Sequence, residues 1–271
     1  MNNLSVLCLA VAGLSACNGS NSKSSETANA SSRSNAAEKP NIVIILTDDQ
    51  GYGDMKCYGN SRLQTPNLDQ LAAEGIRFTN FYAGAAASTP SRAALLTGRY
   101  AERVGLQGVV DDLSVNGLES DEFTLADYLK QNNYATGIFG KWHLGCLREH
   151  LPLRHGFNEF FGLPYSNDMW PFHPQPGHPY RALPLYDNER VVEYNPTVNH
   201  MTTRITERAT AFIDKHKNEP FLLYVPYTQP HVPLGVSDKF KGKSGEGLYA
   251  DVIMEIDWSV GEIMKTLKEN G

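Results

Sequence analysis

Five consecutive apolar residues, Ile42-Val43-Ile44-Ile45-Leu46, constrain this chain more than any other feature. A continuous run without polar alternation fits a parallel strand buried on both faces. The segments after it follow suit. Thr65-Pro66-Asn67-Leu68 opens a helix with a capping residue and a first-turn proline; Leu68, Leu71 and Ala72 share a face, and Gly75 ends it. Phe78 to Tyr82 reads as a short strand or extended segment. Thr124 to Gln131 reads as a helix and Ala135 to Gly140 as a short buried strand. A third unit pairs a helix over Asn199 to Lys215, with Ile205, Ala209, Phe212 and Ile213 on one face, with a strand over Phe221 to Val225. Tyr249 to Asn270 is the last helix, striped by Val252, Ile256, Val260, Ile263, Met264 and Leu267. Repeated αβ units predict an α/β fold, doubly wound, with a mostly parallel central sheet flanked by helices.

In such a fold ligands gather beyond the carboxyl ends of the strands. Each predicted strand here runs into residues that can do chemistry. After Leu46 come Thr47-Asp48-Asp49-Gln50-Gly51-Tyr52-Gly53-Asp54, whose adjacent carboxylates suit a hard cation with oxygen ligands. After Phe139 come Gly140-Lys141-Trp142-His143-Leu144-Gly145, with a fixed positive charge and a group that moves protons near neutral pH. After Val225 comes Tyr227-Thr228-Gln229-Pro230-His231-Val232-Pro233-Leu234, where prolines stiffen the loop around His231. Between these lies Ser88-Thr89-Pro90-Ser91-Arg92. Pro90 and a Thr89 cap place Ser88 on the loop feeding a helix N-terminus, and Gly98 stops that helix. Free N–H groups and the dipole there suit a tetrahedral oxyanion, and Arg92 can fold back onto the same charge. Taken singly, each cluster also reads as a solvated turn, a Ser-Pro cap or surface loop side chains.

The run from Ser88 through Leu95-Leu96-Thr97-Gly98-Arg99 resembles the sulfatase signature in its serine-type form. Asp48-Asp49-Gln50-Gly51-Tyr52-Gly53-Asp54, Gly140-Lys141-Trp142-His143-Leu144-Gly145 and the His231-Val232-Pro233 loop follow in that family's order. The resemblance is nearest to the arylsulfatase A and N-acetylgalactosamine-6-sulfatase branch. It implies an alkaline-phosphatase-like sandwich. Its chemistry would be the hydrolysis of sulfate esters, with sulfated glycans or small sulfated molecules as substrates. By the same resemblance, a radical maturase oxidises Ser88 to formylglycine, and Asp48, Asp49 and the hydrate of residue 88 hold calcium, less often magnesium. One hydroxyl of that hydrate attacks sulfur. His231 binds sulfate and protonates the leaving oxygen, and His143 takes a proton from the second hydroxyl. Arg92 and Lys141 stabilise the sulfate oxygens, and Ser166 touches substrate. The family places a further Asp and Asn of the calcium shell, and a second Lys, after the helix that ends this sequence. The expectation is therefore an N-terminal portion of the catalytic domain over 40–271, truncated on its C-terminal side and with little activity alone. The rival readings are a phosphodiesterase or phosphonate hydrolase of the same superfamily, and a non-catalytic glycan-binding surface lipoprotein.

The remaining features concern placement. A net charge of −6 gives no support to a nucleic-acid partner. Residues 1–17 read as a lipoprotein signal peptide: Leu4 to Leu14 is a short apolar run, and Leu14-Ser15-Ala16-Cys17 resembles a lipobox that would acylate Cys17. Residues 18–39 read as a disordered tether. Together they predict lipid anchoring in a bacterial periplasm or at the cell surface. Cys57 and Cys146 remain beyond the leader, too far apart in sequence to assign as a pair. Arg154 to Asp168 reads as a loop, and Met169 to Tyr186 as an irregular lid in which His173 and His178 are surface residues.

Overall fold

A computed structural model describes residues 39–174 and 180–271. The signal peptide with Cys17, the tether up to residue 38, and His178 lie outside the described residues. Six strands form one sheet: β1 (Ile42–Leu46), β2 (Ala135–Lys141), β3 (Glu159–Leu163), β4 (Pro184–Asp187), β5 (Arg190–Tyr194) and β6 (Phe221–Pro226), in the order β1-β6-β2-β3-β4-β5. The first three pairings are parallel, and β3-β4 and β4-β5 are antiparallel. β6 thus inserts between β1 and β2, so the ends of all three lie side by side.

Five α-helices cover the sheet: α1 (Pro66–Glu74), α2 (Ser88–Thr97), α3 (Leu125–Gln131), α4 (Met201–His216) and α5 (Leu248–Asn270). The pleat sends alternate side chains to opposite faces. Val43 and Ile45 of β1, with Phe221, Leu223 and Val225 of β6, pack with α1, α4 and α5. Ile44 and Leu46, with Leu222 and Tyr224, pack with α2 and α3. Burial on both faces is why β1 and β6 read as unbroken apolar runs.

Several local expectations are corrected. Phe78 to Tyr82 forms no strand; it is irregular and exposed, with Tyr82 at 80%. The region read as a loop from Arg154 contains β3, and the region read as a lid ends in the β4-β5 hairpin. Thr89 is not a cap: α2 starts at Ser88 after Ala87, and the Thr89 hydroxyl accepts from Val110 N–H instead. Thr65 does not cap α1 with its side chain either. The Asp257 carboxylate on α5 accepts from the N–H groups of Asn67 and Leu68. Cys57 and Cys146 are both free thiols. Among the described residues no helix is long and apolar enough to cross a membrane.

Candidate active site

The site forms where β1, β2 and β6 end and α2 begins. Gly140 lets the strands close up: a Cβ there would lie 1.9 Å from the Pro226 carbonyl oxygen. Past β2, Trp142 N–H donates to Leu163 O and His143 N–H to Pro164 O, which carries the β3 neighbour beyond the regular ladder. His143 is left-handed, at φ 62°. That sharp turn, uncommon for a residue with a side chain, belongs to the segment that brings His143 to the first turn of α2. Across the sheet, Asp48 N–H donates to Gln229 O at 3.1 Å, fastening the β1 loop to the His231 loop. Asp49 is also left-handed, at φ 64°.

Ser88, the first residue of α2, lies at the centre. Arg92, one turn along, folds back as expected and donates from Nε to Ser88 Oγ at 2.8 Å. Its other nitrogens reach Lys141 O at 2.7 Å and Asp48 Oδ1 at 3.2 Å. Lys141 donates from Nζ to Asp48 Oδ2 at 2.6 Å and to Ser166 Oγ at 3.0 Å. His143 Nδ1 lies 3.0 Å from Ser88 Oγ, and Nε2 lies 2.9 Å from Val110 O. A carbonyl can only accept, so Nε2 carries the proton and the Ser88 hydroxyl donates to Nδ1. Asp48, Ser88, Arg92, Lys141, His143 and Ser166 thus form one connected cluster. His231 and Asp49 meet it from the rim, with Nε2 of His231 3.6 Å from Asp49 Oδ2 and Asp49 exposed.

Arg92, Lys141 and Asp48 are all buried, and two cations share one carboxylate. Burial pushes the Asp48 carboxyl up, but Lys141, then Arg92 and His231, outweigh it and hold it well below the usual carboxylate range. Burial pulls Lys141 below an ordinary lysine, with Asp48 opposing. Burial, reinforced by Lys141 and Arg92, also pulls His143 well below an ordinary histidine, so it stays neutral near pH 7. The interior of the cluster therefore carries surplus positive charge around a serine that faces a neutral base. That arrangement suits a tetrahedral oxyanion next to a nucleophile.

Asp48 and Asp49 offer only oxygen donors, and the neighbouring Thr47 hydroxyl and Gln50 amide are buried without partners. This donor chemistry fits a hard divalent cation. Among the described residues, no third His, Cys, Asp or Glu joins them in a metal-binding group. Two contributors had no signal in the sequence. Val110 acts through a backbone carbonyl, which any residue supplies. Gln229 is fully buried, and its amide spans the His231 loop to Pro233 O and Gly235 N–H. His173 is partly buried with its ring against Tyr180, and it is not part of the cluster.

The α/β fold thus gathers a buried, positively charged cluster around Ser88 where its parallel strands end. The sulfatase family model matches residues 40–271, and the chain belongs to the sulfatase family. It is 42% identical over 253 residues to arylsulfatase A of Bos taurus, covering 87% of this chain and 50% of that protein. It is 41% identical over 261 residues to arylsulfatase G of Homo sapiens, covering 86% of this chain and 50% of that protein. Among solved structures it resembles a Bacteroides thetaiotaomicron protein described with the metabolism of multiple glycosaminoglycans. The TM-score is 0.74 and the identity 32%, over 86% of this chain and 60% of that one. The fold is the alkaline-phosphatase-like fold of sulfatases, here with a mixed six-stranded sheet. The chain spans about half the length of the curated relatives it matches.

Proposed function

We propose that the whole protein hydrolyses sulfate esters, with sulfated glycans as the substrate class. A maturase would oxidise Ser88 to formylglycine, and Asp48 and Asp49 would hold calcium. The observation that carries this reading is the double contact on Ser88: the Arg92 guanidinium at 2.8 Å on one side and a neutral imidazole nitrogen at 3.0 Å on the other. When present, the oxidised and hydrated residue 88 supplies the oxygen that attacks sulfur, and the cation draws off negative charge.

The chain's own residues do the rest. His143, fixed by Val110, presents a lone pair at Nδ1 to the group at position 88 and accepts a proton there. Arg92 and Lys141 are held in place by Asp48, and they offset charge growing on the sulfate oxygens without reorganising. Ser166 orients the Lys141 ammonium. His231 at the rim would give a proton to the departing oxygen. The sugar class rests on the company the fold keeps, including a neighbour associated with glycosaminoglycan metabolism. In this reading Cys17 anchors the protein by lipid to a bacterial membrane.

Peptide mass spectrometry after co-expression with a radical maturase tests the modification. The peptide bearing Ser88 should lose two hydrogens and gain an aldehyde, and an unaltered mass would refute it. Offering a sulfate ester beside a phosphate diester separates this reading from the phosphodiesterase and phosphonate alternatives, and preference for the diester would overturn it.

A further inference from the structure

The turn that follows Asp48 and Asp49 is held at Gly51 by a side-chain oxygen of Asp54 and at Gly53 by the Asn60 amide, which donates to Gly53 O at 2.7 Å. Asp54 Oδ2 accepts from Gly51 N–H at 2.7 Å, closing the turn, and from the Tyr249 hydroxyl at 2.6 Å. Asp54 N–H donates back to Gly51 O at 3.1 Å. A Cβ on Gly51 would come within 2.7 Å of that same Oδ2, so the carboxylate sits directly over the turn. Tyr249 lies in the first turn of α5, which is the longest helix described. That helix is itself fixed, because Asp257, about two turns further along, binds the start of α1. Asp54 is absent from the cluster around Ser88 and touches none of its members in any bond described above.

We infer that Tyr249 and Asp54 are positioning residues that hold the Asp48-Asp49 turn in the shape that binds the divalent cation. The inference rests on the reading of Asp48 and Asp49 as cation ligands. The chain turns left-handed at Asp49, and two residues on the Asp54 oxygen holds the backbone at Gly51. Without the Tyr249 hydroxyl that oxygen keeps one partner of two, and the turn loses its link to the rigid helix. Two carboxylates on a loosened turn must be ordered when the cation binds, and that ordering reduces affinity.

Because both bonds converge on one oxygen, the amide oxygen of asparagine can accept both. Asp54→Asn therefore removes the charge and keeps the geometry, whereas Tyr249→Phe keeps the charge and removes the link. Thermal unfolding of the whole protein, followed against calcium concentration, reads metal-free stability and calcium affinity in one experiment. Tyr249→Phe should weaken calcium about three- to tenfold, the effect of losing one hydrogen bond, and Asp54→Ala, which loses two, at least as much. Asp54→Asn should stay within about twofold of the parent. A purely structural role would lower the metal-free melting temperature and leave the dissociation constant unchanged, which would overturn the inference. An equal loss in Asp54→Asn and Asp54→Ala, with Tyr249→Phe silent, would overturn it too, since Asp54 would then act as a charge or ligand. If Asp54→Ala fails to fold, the Tyr249→Phe and Asp54→Asn pair still decides. If the parent protein shows no calcium-dependent shift, the metal reading itself fails and takes the inference with it. Parent binding with unaffected variants sinks the inference alone.

Discussion

His143 shows how much one residue's setting decides its chemistry. Its ring is buried, hydrogen-bonded at both nitrogens, and kept neutral by burial and by Lys141 and Arg92. His143→Ala should cut turnover of the whole protein by about 10²–10⁴-fold, the range of general acid–base assistance; near-parental turnover would remove it from the mechanism. Asp48 has a different task. Among the described residues it is the carboxylate paired with both buried Arg92 and buried Lys141. Asp48→Asn strands two cations in the interior, so it should destabilise the fold by roughly 3 kcal/mol in denaturant titration. A third buried residue makes stability depend on pH. Burial lowers the folded His155 to about 4 from an ordinary 6.5, with Asp127 opposing and His150 adding to the fall. Between those values the unfolded chain binds more protons, so stability rises with pH from about 4 to 6.5, by up to roughly 3 kcal/mol from this residue. His155→Phe, which retains a ring against Trp142, should flatten that slope by about one proton. Ser88, Arg92, Lys141 and His143 could be picked out from the sequence because their motifs stand in the order of the sulfatase signature, although each cluster taken singly reads as a cap or surface side chains. The Val110 carbonyl could not, because its chemistry belongs to every residue.

At the scale of elements, legibility follows burial. β1, β2, β6 and the helices came through because both-face burial and amphipathic stripes leave a pattern in residue type. β3 did not: Glu159-Phe160-Phe161-Gly162-Leu163 is short, and its pairing with β2 depends on glycine contacts. A Cβ on Gly162 would lie 1.7 Å from Gly140 O. The β4-β5 hairpin was hidden for another reason: β5 alternates exposed and half-buried residues at the sheet edge and has no apolar run. Phe78 to Tyr82 failed in the opposite sense, with strand-like residues and no neighbouring strand to pair with. The cap exchange at α1, where Asp257 replaces Thr65, is a contact across 189 residues that local reading cannot see. The close strand approach yields a prediction. Gly140→Ala would drive a methyl group into the Pro226 backbone and should cost at least roughly 3 kcal/mol of stability in denaturant titration. A tolerated alanine would mean that the strand ends can move apart.

At the scale of the molecule, the sheet separates two tasks. Its α2 face carries Ser88, and its α1, α4 and α5 face carries the larger apolar core and the Tyr249 tether. β1, whose end holds Asp48, pairs on one side only among the described residues. Asp48 and Asp49 are two donors where calcium takes about six to eight. The 271-residue chain on its own is therefore expected to hold calcium weakly and to release sulfate slowly. Calcium affinity in the micromolar range for this chain would show that other groups complete the shell.

The most direct test of the central claim is sulfate release by the whole protein, measured against the fraction of residue 88 that carries an aldehyde. Turnover should rise in proportion to that fraction and vanish in Ser88→Ala. Turnover that is independent of the aldehyde, or that survives the loss of Ser88, would contradict the account.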